Sequence, residues 1–166
     1  MLRIAICDDE LSFLSQLHSI LSAWQPNSSR FCIESFDNGD ALLSSHAESP
    51  FDIILLDVVM PMFNGIEVAR ELREHDTSVK LVFLTSSPEY AVDSYTVKAN
   101  NYLLKPIDKT KLYQCLDELC NEILDKNQKN IHIRGTNAIH KISLSDIEYV
   151  EAQNKHTLFI LRNKPF

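Results

Sequence analysis

Residues 51–59 read FDIILLDVV, nearly all apolar and rich in β-branched side chains. A strand buried on both faces has this composition, as at the centre of a parallel sheet. An ionisable group inside such a run is costly to bury, so Asp57 is a residue that core building alone does not ask for. Working outward, four more short apolar runs read as strands: 2–7 (LRIAIC), 31–36 (FCIESF), 79–84 (VKLVFL) and 101–104 (NYLL). Helical periodicity fills the gaps. Leu11, Phe13, Leu14, Leu17, Ile20, Leu21 and Trp24 share one face of a first helix, which Pro26 and Asn27 stop. A turn at 37–39 precedes a short helix over 40–45. After a loop at 60–65, Ile66, Val68, Ala69 and Leu72 line the inward face of a third helix reaching His75. A fourth, over 88–95, holds Pro88 in its first turn. Asp108 caps a fifth that runs to about 125, with Leu112, Leu116, Leu119 and Ile123 as its apolar stripe.

Strands alternating with helices imply right-handed βαβ units and a doubly wound α/β fold, a parallel sheet covered on both faces. In such folds the site lies outside the C-terminal strand ends, where the strand order switches. The residues there are Asp8 and Asp9 after the first strand, Asp57 near the end of the third, Thr85 after the fourth and Lys105 after the fifth. Each has a plain alternative alone: a helix cap for Asp8 and Asp9, a strand-end hydroxyl for Thr85, a solvated ammonium for Lys105. Together they suit phosphoryl transfer. Close carboxylates repel and raise one another's proton affinity, and Mg²⁺ relieves this with oxygen ligands, waters and a phosphate oxygen. Asp57 then attacks as a carboxylate, while Lys105 and Thr85 meet the remaining phosphoryl oxygens.

The motifs CDDE, LLDVVMPMFNG, LTSS and NYLLKP, in this order, resemble the receiver (CheY-like) domain of bacterial response regulators over residues 1–125. The resemblance implies a flavodoxin-like (βα)5 fold and a phosphoacceptor at Asp57. It makes Asp9 a direct Mg²⁺ ligand, Asp8 one acting mostly through water, and the Val59 carbonyl the third protein ligand beside Asp57. It makes Lys105 the phosphate-pairing lysine, before a cis bond at Pro106, with Thr85 the switch hydroxyl and Tyr102 the switch aromatic. It implies a sensor histidine kinase as donor, a homodimer through the fourth helix, fifth strand and fifth helix, and no catalysis beyond the chain's own phosphorylation and dephosphorylation. Val59 and Ser87 occupy positions that tune rates in this family, and an apolar Val59 is expected to keep water from the phosphoryl bond. Ser86 replaces the more usual alanine and is still small enough for donor access.

The net charge of −7 is uneven: residues 127–166 hold 6 Lys or Arg against 3 Asp or Glu, so the acidic excess lies before them. That shift suggests a second unit with another partner. Residues 126–130 read as a polar linker. Residues 131–166 form short strands and turns, a partial all-β segment. IHKISLSDIEYVEAQNKHTLFIL resembles the opening of a LytTR-type DNA-binding domain, which implies DNA as a partner and control of transcription. About 36 residues can hardly bury a stable core alone, so an incomplete domain with doubtful DNA binding is expected, Asn154, Lys155 and His156 being conceivable phosphate contacts. The alternative is a receiver acting through protein contacts alone. A haloacid-dehalogenase-type phosphatase needs an Asp where Val59 stands, and the strand-end acids would repel a flavin phosphate.

Cys7, Cys32, Cys115 and Cys120 form no CxxC pair, and three of them sit among apolar residues. Buried thiols, a reducing cytoplasm and no membrane span are the expectation.

Overall fold

The computed structural model describes residues 1–25, 30–61, 64–128, 130–134, 139–153 and 156–161. The expected helix stop at Pro26 and Asn27, the loop residues Met62 and Phe63, the turn at 135–137 and the tail positions Asn154 and Lys155 lie outside them. The chain divides into two compact units, Met1–Cys120 and Asn121–Phe166.

The first unit is the expected alternation: β1 (Leu2–Cys7), α1 (Leu11–Ser22), β2 (Phe31–Phe36), α2 (Gly39–Glu48), β3 (Ile53–Leu56), α3 (Gly65–His75), β4 (Lys80–Thr85), α4 (Ala91–Thr96), β5 (Asn101–Leu104) and the start of α5 (Lys109–Gln128). The strands form one parallel sheet in the order β2-β1-β3-β4-β5. The doubly wound α/β class is thus borne out, and the order reverses between β1 and β3.

Burial follows position in that order. β3 and β4 are buried throughout, whereas the edge strands β2 and β5 are only half-buried. On one face, Ala5, Cys7, Ile54, Leu56, Leu81 and Phe83 pack with Leu42 of α2 and with Ile66, Val68, Ala69 and Leu72 of α3. The alternate residues of the same strands point to the other face, where the Tyr113 hydroxyl of α5 donates to the Ile20 carbonyl of α1 at 2.7 Å and the Trp24 indole, just after α1, donates to Asp117 of α5 at 3.1 Å. Each fully buried Leu or Ile contributes about 1.5–3 kcal/mol, so two covered faces give the strand ends a rigid base.

The boundaries differ from expectation for local reasons. Asp57 follows β3 rather than lying within it. Pro88 to Tyr90 form a turn, so α4 begins at Ala91. Asp108 Oδ1 accepts from Thr110 N–H at 2.9 Å and caps α5 as expected. That helix runs to Gln128, through most of the expected linker, because no Gly or Pro interrupts it. All four cysteines are free, and three are buried. Burial pushes the Cys7 thiol up to about 12 and that of Cys120 to about 11. No helix among the described residues is long and apolar enough to cross a membrane.

Among the described residues, the second unit holds the last turns of α5 and two antiparallel pairs, β6 (Asn130–Arg134) with β7 (Ile139–Ser143), and β8 (Ile147–Gln153) with β9 (His156–Leu161). A 3-10 turn at Leu144–Asp146 precedes β8. Tyr149, Val150, Leu158 and Leu161 are exposed.

His46, on α2, is buried against Phe51, whose N–H donates to its Nδ1 at 3.2 Å, and its Nε2 lies 3.4 Å from Asp76. Burial lowers its proton affinity, and the pull of Asp76 only partly offsets this. The folded state therefore favours neutral His46. Its contribution is fully present above the unfolded pKa of about 6.5 and is lost as pH falls towards the lowered folded value. The urea midpoint is expected to fall between pH 7.5 and pH 5.5, and to fall less in His46→Gln. Equal slopes in urea titrations of the two proteins would remove His46 from the account.

Candidate functional site

The switch in strand order opens a crevice at the C-terminal ends of β1 and β3, and the backbone places the acids there. Asp57 N–H donates to Cys7 O at 2.9 Å, and Asp8 N–H to Phe36 O at 3.0 Å. Both residues extend the sheet ladder by one step, so their side chains leave from fixed positions. One carboxylate oxygen from each of Asp8, Asp9 and Asp57 falls within 4.8 Å of the others. Asp8 and Asp57 are buried and Asp9 is exposed.

The alternative reading of Asp8 and Asp9 as a helix cap does not hold. Glu10 is the N-cap of α1 and makes no side-chain cap bond. Asp8 Oδ1 instead accepts from the Glu10 N–H at 3.0 Å, which bends the chain away from the strand and aims Oδ2 into the crevice.

Lys105 arrives from the end of β5, before a cis peptide bond to Pro106. Its Nζ lies 2.6 Å from Asp8 Oδ2 and 2.9 Å from Asp57 Oδ2, so it is not a solvated ammonium. Lys105 and Asp8 both shift upward, for different physical reasons. Burial opposes the charge on Lys105, but hydrogen bonds to two carboxylates outweigh it and hold the ammonium above its ordinary range. Burial pushes the Asp8 carboxyl up, and the shared ammonium pulls only part of that back, with Asp57 adding repulsion. Among the described residues, one ammonium pairs with two of the three clustered carboxylates, which leaves charge unbalanced. A hard divalent cation with oxygen ligands suits that deficit, and Asp8, Asp9 and Asp57 are the residues able to hold it.

Val59 lies in the same turn as Asp57, its N–H donating to Asp57 Oδ1 at 3.2 Å, and its side chain is exposed. Thr85 is fully buried at the end of β4. Its Oγ1 accepts from the Ser87 N–H at 3.3 Å, and its carbonyl accepts from the Lys105 N–H at 2.8 Å. The Tyr102 hydroxyl donates to the Ser87 carbonyl, so Thr85 and Tyr102 grip the same residue from two sides. Burial, then the charge of Asp57, raises the Tyr102 phenol.

Two residues of the site were not singled out from the sequence. Phe13, assigned to the apolar face of the first helix, is only half-buried and lays its ring 4.0 Å from Lys105 Nζ. Phe13 stands at i, i+4 and i+7 spacing with Leu17 and Ile20, so the apolar periodicity gave no signal of this contact. Gly65 was read as a loop residue. A Cβ there would fall 2.0 Å from the Asp57 carbonyl oxygen, so α3 starts where only glycine fits. Asn64 and Glu67 form a capping box that fixes that start.

The sequence pattern of the response regulator receiver domain matches residues 4–117. An uncharacterized response regulatory protein of Vibrio cholerae is 27% identical over 91% of this chain and 66% of its own length. The sensory transduction protein LytT of Oceanobacillus iheyensis is 35% identical over 66% of this chain and 44% of its own length. The chain thus spans at most about two thirds of these relatives. Response regulator TrrA of Thermotoga maritima, solved with Mg²⁺ and a beryllium fluoride, is similar at a TM-score of 0.64 and 27% identity, over 72% of this chain and 99% of its own.

Gly65→Ala forces backbone to move, because the atoms it meets belong to Asp57 and Val58. We expect a loss of about 1–3 kcal/mol in urea unfolding, together with weaker Mg²⁺ binding by calorimetry. A variant with wild-type stability and affinity would show that α3 does not fix Asp57.

Proposed function

The chain belongs to the response regulator receiver domain family, and from that premise we propose that it takes a phosphoryl group on Asp57 from a sensor histidine kinase. The observation that carries this is the single ammonium of Lys105 bridging two buried carboxylates beside a third. Mg²⁺ held by Asp8, Asp9, Asp57 and the Val59 carbonyl would screen the negative charge of nucleophile and phosphate from each other. Asp57 forms the new O–P bond as the bond from phosphorus to the donor breaks, and Lys105 turns from the carboxylates to a phosphoryl oxygen. The chain then catalyses only its own phosphorylation and dephosphorylation.

The output follows from Ser87. Thr85 accepts from the Ser87 N–H through Oγ1, and donating its O–H to a phosphoryl oxygen would draw that Oγ1 towards Asp57 and loosen one of the two grips on Ser87, while Tyr102 holds the other. The surface formed by α4, β5 and α5 then shifts population between two arrangements. Val92, Tyr95 and Leu104 are exposed there, which suits a homodimer. The name of LytT and the antiparallel pairs after α5 support a LytTR-type output on DNA, controlling transcription in the cytoplasm. A receiver acting through protein contacts alone is the second reading, favoured by the exposed apolar residues of β8 and β9.

With a small phosphodonor such as acetyl phosphate, incorporation should require Mg²⁺ and disappear in Asp57→Asn. No incorporation in the wild type would withdraw Asp57 as acceptor. Once formed, the phosphoryl bond should hydrolyse faster in Val59→Asn, because an amide can hold the attacking water that the apolar side chain excludes. An unchanged dephosphorylation half-life would sink the role given to Val59.

A further inference from the structure

We infer that Phe13 is a positioning residue for Lys105, an inference that rests on the phosphoryl-transfer reading above. Lys105 has three N–H bonds. Two are donated to Asp8 and Asp57, and the ring of Phe13 lies 4.0 Å from Nζ. Ammonium and aromatic face attract electrostatically within about 6 Å, more strongly when water is kept away. The Lys105 side chain is only 16% exposed, so the contact is shielded from water.

A lysine side chain has a flexible four-carbon stem and loses much rotamer freedom when fixed. The carboxylates hold it only while they are free. When they are engaged by a cation or a phosphoryl group, Lys105 gives up partners on that side. The ring makes no such exchange. It stays on the first turn of α1, next to Leu14 and Leu17, which are buried. The ammonium can therefore pivot against Phe13 and remain over the crevice in both states. The half-buried position of Phe13, with its buried neighbours already packing α1 on the sheet, is what the contact requires.

The test replaces Phe13 in the full chain with Leu, with Trp and with 3,4,5-trifluorophenylalanine. The last keeps the shape of the ring and removes its negative face. Acetyl phosphate with Mg²⁺ reads the rate of incorporation, and NMR of the metal-free chain reads the ring-current displacement of the Lys105 Cε–H protons. The expected result is a rate roughly five-fold lower for Leu and for the trifluoro ring, within the range such contacts give, and recovery with Trp. The Cε–H displacement should vanish in Leu. A trifluoro variant that reacts at the wild-type rate would reduce Phe13 to packing and overturn the inference. An absent displacement in the wild type would do the same. A wild-type chain that takes up no phosphoryl group overturns the proposed function, while the metal-free spectrum still decides whether Phe13 holds the ammonium.

Discussion

Lys105 Nζ sits 2.6 Å from one buried carboxylate and 2.9 Å from another, and the three residues come from the ends of three different strands. Removing one partner from such a set leaves a buried charge uncompensated, typically at a cost of 3–5 kcal/mol. The sheet must therefore hold β1, β3 and β5 in register well enough for one ammonium to reach two acids. The fully buried β3 and β4, the sheet bonds continued through Asp8 and Asp57, and the glycine start of α3 all serve that requirement. The same set is left short of positive charge, a deficit that a hard divalent cation would relieve.

Much of this was legible in the sequence because two signals agreed. Apolar runs at regular intervals gave the parallel sheet, and polar residues terminating those runs gave Asp8, Asp9, Asp57, Thr85 and Lys105. What stayed hidden depends on contacts between distant segments. The apolar spacing of the first helix put Phe13 and Leu11 on the core face, but Leu11 is exposed and Phe13 turns to Lys105. A periodicity argument cannot tell a ring that packs on a sheet from one that covers a charge at the helix start. The grip of Thr85 and Tyr102 on Ser87 was hidden for the same reason: Ser87 and Tyr102 are 15 residues apart, and the shared atoms belong to backbone.

The second unit shows the opposite balance. Its short strands and turns were readable as an all-β segment, and both antiparallel pairs are present. Yet a two-stranded hairpin is marginally stable at best without further strands or a helix to cover one face. Tyr149, Val150, Leu158 and Leu161 remain exposed on β8 and β9, so the described residues of this unit are defined by pairing more than by burial.

That contrast bears on how a signal would pass through the chain. Two-state switching needs an element with two discrete arrangements of comparable energy. The buried strands cannot supply it, since moving them would cost the packing of both faces. The segment from Ser87 to Thr96 is better suited. α4 is short, and Tyr90, its N-cap, makes no side-chain cap bond. Arg73 fastens the far end of α4 by donating to the Val97 carbonyl at 2.8 Å. That segment is pinned behind by Arg73 and held in front through Ser87 by the hydroxyls of Thr85 and Tyr102. Under the proposed function, a phosphoryl group on Asp57 that draws the Thr85 O–H towards it would loosen the front of this segment while Arg73 keeps its far end in place.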